Sequence, residues 1–404
     1  MSSFDFLPQF PLPANPLALF GVLLLAGALG GELMRRVLNL PRITGYVLIG
    51  LALGSSGLNV LDARMLGYMR VFVDVGLGLV LFELGRRLDL EWLSRDRWLA
   101  LMALAESTLS FACMFGALTW FGVAPLYAAV AAAIGVSSSP AIVLLVAREQ
   151  RAEGQVTERA LNLVAINSVV AFVLVTMLLS WIHREYNANW LTMVLHPAYI
   201  LAGSWFAGSL ARMSVLALAR WLGKQAELHL VLVLAAAVLL VGAAESLKLS
   251  VLISLLTFGV QVRNRDDEHA LMPVDIGRFG QAFFIVLFVA SGAMPQVTDL
   301  IAGSAIAAVY IAARFVGKSV GVLCFAHLSG IRPGSGGLLS IALLPMSGIA
   351  LAMTHSHGSP YPGFGAQLAT IVLASALLLE LLGPLAVQFA LRRAGEAHLG
   401  EQSP

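Results

Sequence analysis

Charge is what this sequence has least of. Asp, Glu, Lys and Arg make up 12% of 404 residues, where a soluble domain carries about 25%. With 59% hydrophobic residues and a mean hydropathy of +0.85, that shortage argues against an ordinary soluble domain. It implies a membrane protein of many helices. Cysteine is nearly absent. Cys113 and Cys324 each sit inside an apolar run, which argues against a disulfide framework or a cysteine zinc site. The opening MSSFDFLPQFPLPANP lacks a basic n-region, so no cleaved signal peptide is expected. The sequence also lacks a hydrolytic triad, a nucleotide fingerprint and a nucleic-acid-binding basic patch. GIRPGSGG has glycines but neither P-loop order nor a Lys-Ser/Thr ending. His355 and His357 have no third ligand nearby, so no metal site is assigned. The expectation is a protein that is not an enzyme and uses no cofactor.

What is present is a series of apolar runs, each near the roughly 20 residues that cross a bilayer. Thirteen candidates can be drawn, at about 14–34, 43–61, 68–85, 98–121, 126–147, 160–182, 195–218, 228–246, 249–262, 277–294, 300–326, 336–356 and 364–391. Basic residues test that count, because cytoplasmic segments are enriched in Lys and Arg. With the N-terminus outside, nineteen of the 25 fall on inner segments and four on outer ones. The other two, Arg314 and Lys318, lie inside a span. An all-α membrane protein with thirteen transmembrane helices, N-outside and C-inside, is therefore expected.

Two spans are interrupted near mid-membrane. The fifth contains AIGVSSSPAIVLL, where Ser137, Ser138, Ser139 and Pro140 stand together; the twelfth contains IALLPMSGIALAM, with Pro345, Ser347 and Gly348. Proline removes a backbone donor and clashes with the preceding turn. Such breaks are tolerated in lipid only against protein or a water-lined cavity. The fifth and twelfth spans cross in opposite directions, the pattern of inverted repeats whose half-helices meet at a midplane site. Two ordinary proline kinks in packed helices would use the same residues.

Charges buried in spans narrow the site. Arg314 is central in the eleventh span, and Lys318 lies four residues on, over the same helical face. A basic group there costs at least about 3 kcal/mol on insertion scales, so it should meet protein, water or an acid. Snorkelling would also account for Lys318. Arg314 is too central for that, and half-helix C-termini offer it unpaired carbonyls. Among acids, Glu106 and Glu380 lie deep enough to need a partner, with Arg314 or Lys318 the natural one. Glu83 sits near the inner end of the third span. A structural ion pair and an ion-handling site are both consistent with these positions.

Several segments together carry a resemblance. PRITGYVLIGLALGSSGLNVL, VGLGLVLFELGRRLDL and GVSSSPAIVLLVARE are similar to the second, third and first unwound helices of the monovalent cation:proton antiporters of the Kef and bacterial sodium/proton exchanger type. AAESLKLSVLISLLTFGVQV and FGQAFFIVLFVASGAMPQVTDL resemble later scaffold helices; ARFVGKSVG and ALLPMSGIALAM resemble the basic helix and the second unwound helix. The resemblance implies an inverted-repeat fold in one membrane domain. Scaffold and dimerisation helices would lie at about 14–97 and 228–294, a mobile core at about 98–182 and 300–391, and a linker helix at about 195–218. It also implies elevator transport of Na⁺ or K⁺ against protons, by a homodimer in a bacterial inner (plasma) membrane.

One position departs from that pattern. Typical members carry a carboxylate on the helix matching LNLVAINSVVAFVL, which binds either a proton or a cation and so couples the two. Here the aligned residue is Ser168, after Asn167, and no Asp or Glu occurs from Arg159 to His183. A serine hydroxyl offers a neutral oxygen and does not titrate near pH 7. The candidate ion- or substrate-binding set is Ser137, Ser138, Ser139, Asn167, Ser168 and Ser347, with Arg314 and Lys318 compensating charge. Glu106, Glu380 and Glu83 are the candidate proton carriers. Three readings stay open: cation exchange with a relocated proton carrier, transport of an anionic or neutral solute, or a transport-deficient homologue acting as a sensor or membrane-complex subunit. Asn167 and Ser168 would also serve simple helix–helix packing.

Overall fold

The computed structural model describes the chain apart from residues 1–14, 62, 92–95, 186–189, 267–269, 273–275, 296, 333, 347–361 and 399–404. Among the described residues there is no strand. The helices are α1 (Pro16–Leu33, running into a π-helical turn Met34–Leu38), α2 (Arg42–Leu53), α3 (Ala63–Arg87), α4 (Arg97–Trp120), α5 (Pro125–Val136), α6 (Pro140–Glu149) and α7 (Gln155–Glu185). They continue as α8 (Trp190–Leu222), α9 (Ala226–Ser246), α10 (Val251–Asn264), α11 (Ile276–Ala293), α12 (Val297–Ala326), α13 (Ser335–Ala342) and α14 (Pro362–Arg393). Nine spans among the described residues are long and apolar enough to cross a membrane, counting α5 and α6 as one interrupted span. Three shorter apolar helices, Arg42–Leu53, Val251–Asn264 and Gly280–Ala293, accompany them.

Apolar composition makes these segments helical, because a helix satisfies its own backbone where no water can. Local chemistry sets the ends. Pro16, Pro125 and Pro140 stand in the first turn of their helices, where a missing N–H costs nothing. Asn15, Asp96, Ser139 and Ser250 cap α1, α4, α6 and α10 by accepting from Leu17, Leu99, Ile142 and Ile253 N–H. The outer surface is apolar: Leu17, Leu29, Trp120 and Trp221 are all more than two-thirds exposed. That surface suits lipid, with the two tryptophans at helix ends, where interfacial belts place them.

The helices pack in two groups. α1, α2 and α3 lie against α9, α10 and α11, with α8 on α10 and α9. α4 to α7 lie against α12, α13 and α14. The groups meet where α8 follows α7, where α2 touches α14, and where α3 touches α6 and α7. In the second group the closest association is α12 on α4. Gly317 and Gly321 make it possible. A Cβ on Gly317 would stand 2.6 Å from the Leu109 carbonyl oxygen, and one on Gly321 would stand 2.3 Å from the Glu106 Cα. The small-xxx-small spacing thus lays one backbone directly on the other.

Gly321→Ala should push α12 off α4 and lower the unfolding midpoint of the detergent-solubilised protein, corresponding to about 1–3 kcal/mol of overpacking. Gly116→Ala, on the open face of α4 with nothing within 4 Å of the added carbon, should leave the midpoint unchanged or raise it slightly. Equal midpoints for the two variants would contradict the close approach.

Candidate functional site

α5 stops at Val136 and α13 at Ala342, and the chain runs non-helically through 137–139 and 343–346. The two interruptions touch, since Ser139 N–H donates to the Pro345 carbonyl at 2.9 Å. The Ser138 hydroxyl donates to the Leu343 carbonyl at 2.8 Å. Ser138 N–H donates to Asn167 Oδ1 at 3.1 Å, so α7 supplies the acceptor that α5 no longer offers. Buried backbone groups in an apolar medium must be paired, and here the pairing crosses between elements.

Most of the freed carbonyls go to one side chain. Arg314 is fully buried on α12. Its Nε donates to Gly135 O at 2.8 Å, Nη1 to Leu344 O at 2.6 Å and Nη2 to Ser137 O at 2.9 Å. Longer contacts from Nη2 reach Ser138 Oγ and Pro345 O at 3.3 Å and Leu343 O at 3.4 Å. One guanidinium thus caps the C-terminal ends of α5 and α13 together, at the negative poles of both helix dipoles. One turn back on the same face, Tyr310 donates its hydroxyl to Ala131 O at 2.8 Å.

One turn further on, Lys318 donates to Val136 O at 2.8 Å and forms an ion pair with Glu106 of α4. Both side chains are about 1% exposed or less. Glu106 also accepts from Asn167 Nδ2 at 3.4 Å and from the Ser107 hydroxyl at 3.3 Å. Asn167 Nδ2 lies 3.3 Å from Ser138 Oγ. The Ser168 hydroxyl donates mainly to its own helix, at 2.7 Å to Val164 O, and reaches Ser138 O at 3.4 Å. The centre therefore gathers Ser137, Ser138, Ser139, Asn167, Ser168, Arg314, Lys318 and Glu106 where α4, α5, α7, α12 and α13 meet. Formally it holds two cations against one carboxylate.

Glu380 and Glu83 lie elsewhere. Glu380 leaves α14 toward α11, where its Oε2 accepts from Ser291 at 2.7 Å and its Oε1 has no hydrogen bond. Arg314 and Lys318, the partners expected for it, are taken by carbonyls and by Glu106. Glu83 is ion-paired with Arg148, at the end of α6. Ser347, with His355 and His357, lies outside the described residues. Among the described residues no group of His, Cys, Asp or Glu could hold a metal ion. Sequence reading passed over Tyr310, Gly317 and Gly321. The i, i+4, i+8 stripe Tyr310–Arg314–Lys318 and the spacing of GKSVG were the available signals.

Comparison with known proteins gives a consistent answer. The model of the family described as sodium/hydrogen exchanger, transmembrane, matches residues 21–393. An 87-residue stretch is 34% identical to the Na(+)/H(+) antiporter NhaS5 of Synechocystis sp., covering 22% of this chain and 12% of that protein. The fold is similar to that of the sodium proton antiporter MjNhaP1 from Methanocaldococcus jannaschii. For its structure at pH 8 the TM-score is 0.70 at 16% identity, covering 94% of this chain and 97% of that one. For its electron-microscopy structure the TM-score is 0.71 at 16% identity, covering 96% and 98%.

Arg314→Leu should unpair carbonyls of both interrupted segments and cost on the order of 3 kcal/mol or more. Arg314→Lys keeps the charge but has three donors on one atom, and should recover only part of the loss. Thermal unfolding in detergent checks the order. A leucine variant as stable as the parent would mean that Arg314 does not hold these ends.

Proposed function

The chain belongs to the sodium/hydrogen exchanger family, transporters of the cation:proton antiporter kind, and we propose that it exchanges a monovalent cation, Na⁺ or K⁺, for a proton held by the Lys318–Glu106 pair. The buried ion pair carries this reading. In the empty state Lys318 keeps its proton and neutralises Glu106. An entering cation takes the Glu106 carboxylate, with Asn167 Oδ1 and the hydroxyls of Ser138 and Ser168 as neutral oxygens within the same cluster. Lys318 then releases its proton to the side on which the site is open. The ammonium and the cation compete for one carboxylate, so binding one displaces the other. Exchange is one for one and leaves the charge of the centre unchanged. A carboxylate at position 168 is then dispensable, because Glu106 takes its place from α4.

The larger frame is part of the proposal: thirteen spans in two inverted repeats, N-outside and C-inside, working as a homodimer in a bacterial inner membrane. The helices at about 98–182 and 300–391 would slide as a core against those at about 14–97 and 228–294, with 195–218 linking them. The two packing groups support this division. Arg314 travels with the core and compensates the half-helix dipoles. A second reading, transport of a neutral or anionic solute or loss of transport altogether, has the surplus positive charge of the centre in its favour.

Proteoliposomes given Na⁺, K⁺ or Li⁺ pulses should show proton flux. Glu106→Gln should abolish it. So should Lys318→Arg, because a guanidinium keeps its proton. Glu380→Gln and Glu83→Gln should retain coupled exchange, and Ser168→Asp should retain it with altered pH dependence. Coupled flux surviving in Lys318→Arg would overturn the proposed proton carrier. Absence of flux with every cation, in folded protein, would favour the second reading.

A further inference from the structure

At the end of the bundle where α1, α6 and α14 finish, a cavity of about 700 Å³ lies between the two packing groups. Six arginines line it: Arg35 and Arg36 after α1, Arg42 opening α2, Arg148 closing α6, Arg151 in the following turn and Arg392 of α14. Three carboxylates face these residues. Glu32 binds Arg35 at 2.5 Å, Arg36 at 2.6 Å and Arg42 Nη2 at 3.1 Å. Glu149 accepts from the Arg42 backbone N–H at 3.1 and 3.3 Å and lies 3.9 Å from its Nε. Glu83 pairs with Arg148.

Positive charge is left over. Among the described residues Arg151 and Arg392 have no carboxylate partner; Arg392 donates its Nε to Gln150 Oε1 at 3.0 Å. The buried Arg42 Nε–H has no hydrogen bond. A wall so composed repels a monovalent cation, so the cavity has no part in binding the transported ion.

We propose that this cavity binds a phosphate-type anion, a phosphate monoester or pyrophosphate group, which ties α1 and α2 to α6 and α14. Guanidinium forks match phosphate oxygens in bidentate fashion, and a dianion can bridge several at once. The volume is in the range of small-molecule sites and leaves room for the ester's organic part. Two sources share the chemistry: a soluble phosphate ester, and the headgroup of an anionic lipid, which basic pockets between membrane helices accommodate. Because the site spans both groups, its occupant must be released, or carried across, whenever they move relative to one another. Bound anion therefore slows exchange. That consequence rests on the antiport reading, whereas binding itself does not.

Pyrophosphate titrated into the purified full-length protein should raise its unfolding midpoint saturably, beyond the effect of sodium chloride at matched ionic strength. Phosphatidic acid in phosphatidylcholine mixed micelles should be tested the same way. A shift in the first series identifies a soluble ester and a shift in the second identifies a headgroup. Arg151→Gln and Arg392→Gln, which orphan no acid, should each weaken the effective ligand by about tenfold. Lys224→Gln, outside the cavity, should not. The inference is overturned if neither ligand exceeds the salt control, or if Arg151→Gln and Arg392→Gln respond like the parent. A flux-dead protein that still binds would refute the antiport reading and leave the site standing.

Discussion

A helix that stops inside a membrane leaves its last carbonyls without donors, and the hydrocarbon offers none. This chain stops two helices in that way, and the arrangement of its centre follows from satisfying them. Arg314 reaches carbonyls from both interrupted segments, so α12 is fixed with respect to α5 and α13 at once. Asn167 and Ser138 supply further donors and acceptors from α7 and from the break itself, and Lys318 takes the Val136 carbonyl. No single element of this set is stable without the others, because each would leave polar backbone buried and unpaired.

A fixed guanidinium has an electrostatic consequence one turn away. A second cation on the same face, Lys318, is held only with an acid in reach. The acid comes from α4, across the tightest helix contact in that half of the molecule. Gly317 and Gly321 remove the side chains that would keep Glu106 out of range. Packing and charge are therefore one device here. The same glycines that allow backbone contact between α12 and α4 set the distance of the ion pair.

Much of this centre was legible before any coordinates. Pro140 and Pro345 mark interruptions because the proline ring fixes φ and leaves no N–H, whatever surrounds it. Arg314 and Lys318 stand out because cations at membrane depth are expensive. Partner choice was not legible. Glu106 and Glu380 read alike in sequence, each a lone acid in an apolar run, and only the packing of α4 and α14 separates them: one meets Lys318, the other Ser291. The arginine cavity was invisible for a related reason. Its arginines come from four helices and a turn, spread from Arg35 to Arg392, and in sequence each reads as an ordinary topogenic arginine. Nine spans are long enough to cross a membrane where apolar runs suggest thirteen, because α2 and α10 are short, α11 counts only over Gly280–Ala293, and the twelfth run continues outside the described residues.

The charge of the centre bears on what an ion pair can do that a lone carboxylate cannot. A lone acid is neutral when protonated and again neutral when it holds a monovalent cation. The Lys318–Glu106 pair has the same property: ammonium with carboxylate is neutral, and so is free amine with a cation on the carboxylate. Arg314 adds one positive charge to both forms alike. On the proposed mechanism the core then crosses with equal charge in either load, so the membrane potential favours neither direction and the two concentration gradients alone set net exchange. An acid that kept its charge after the cation left would lose this balance, and would have to cross the membrane bare. The lysine removes that state, because it fills the carboxylate's empty position from within the protein.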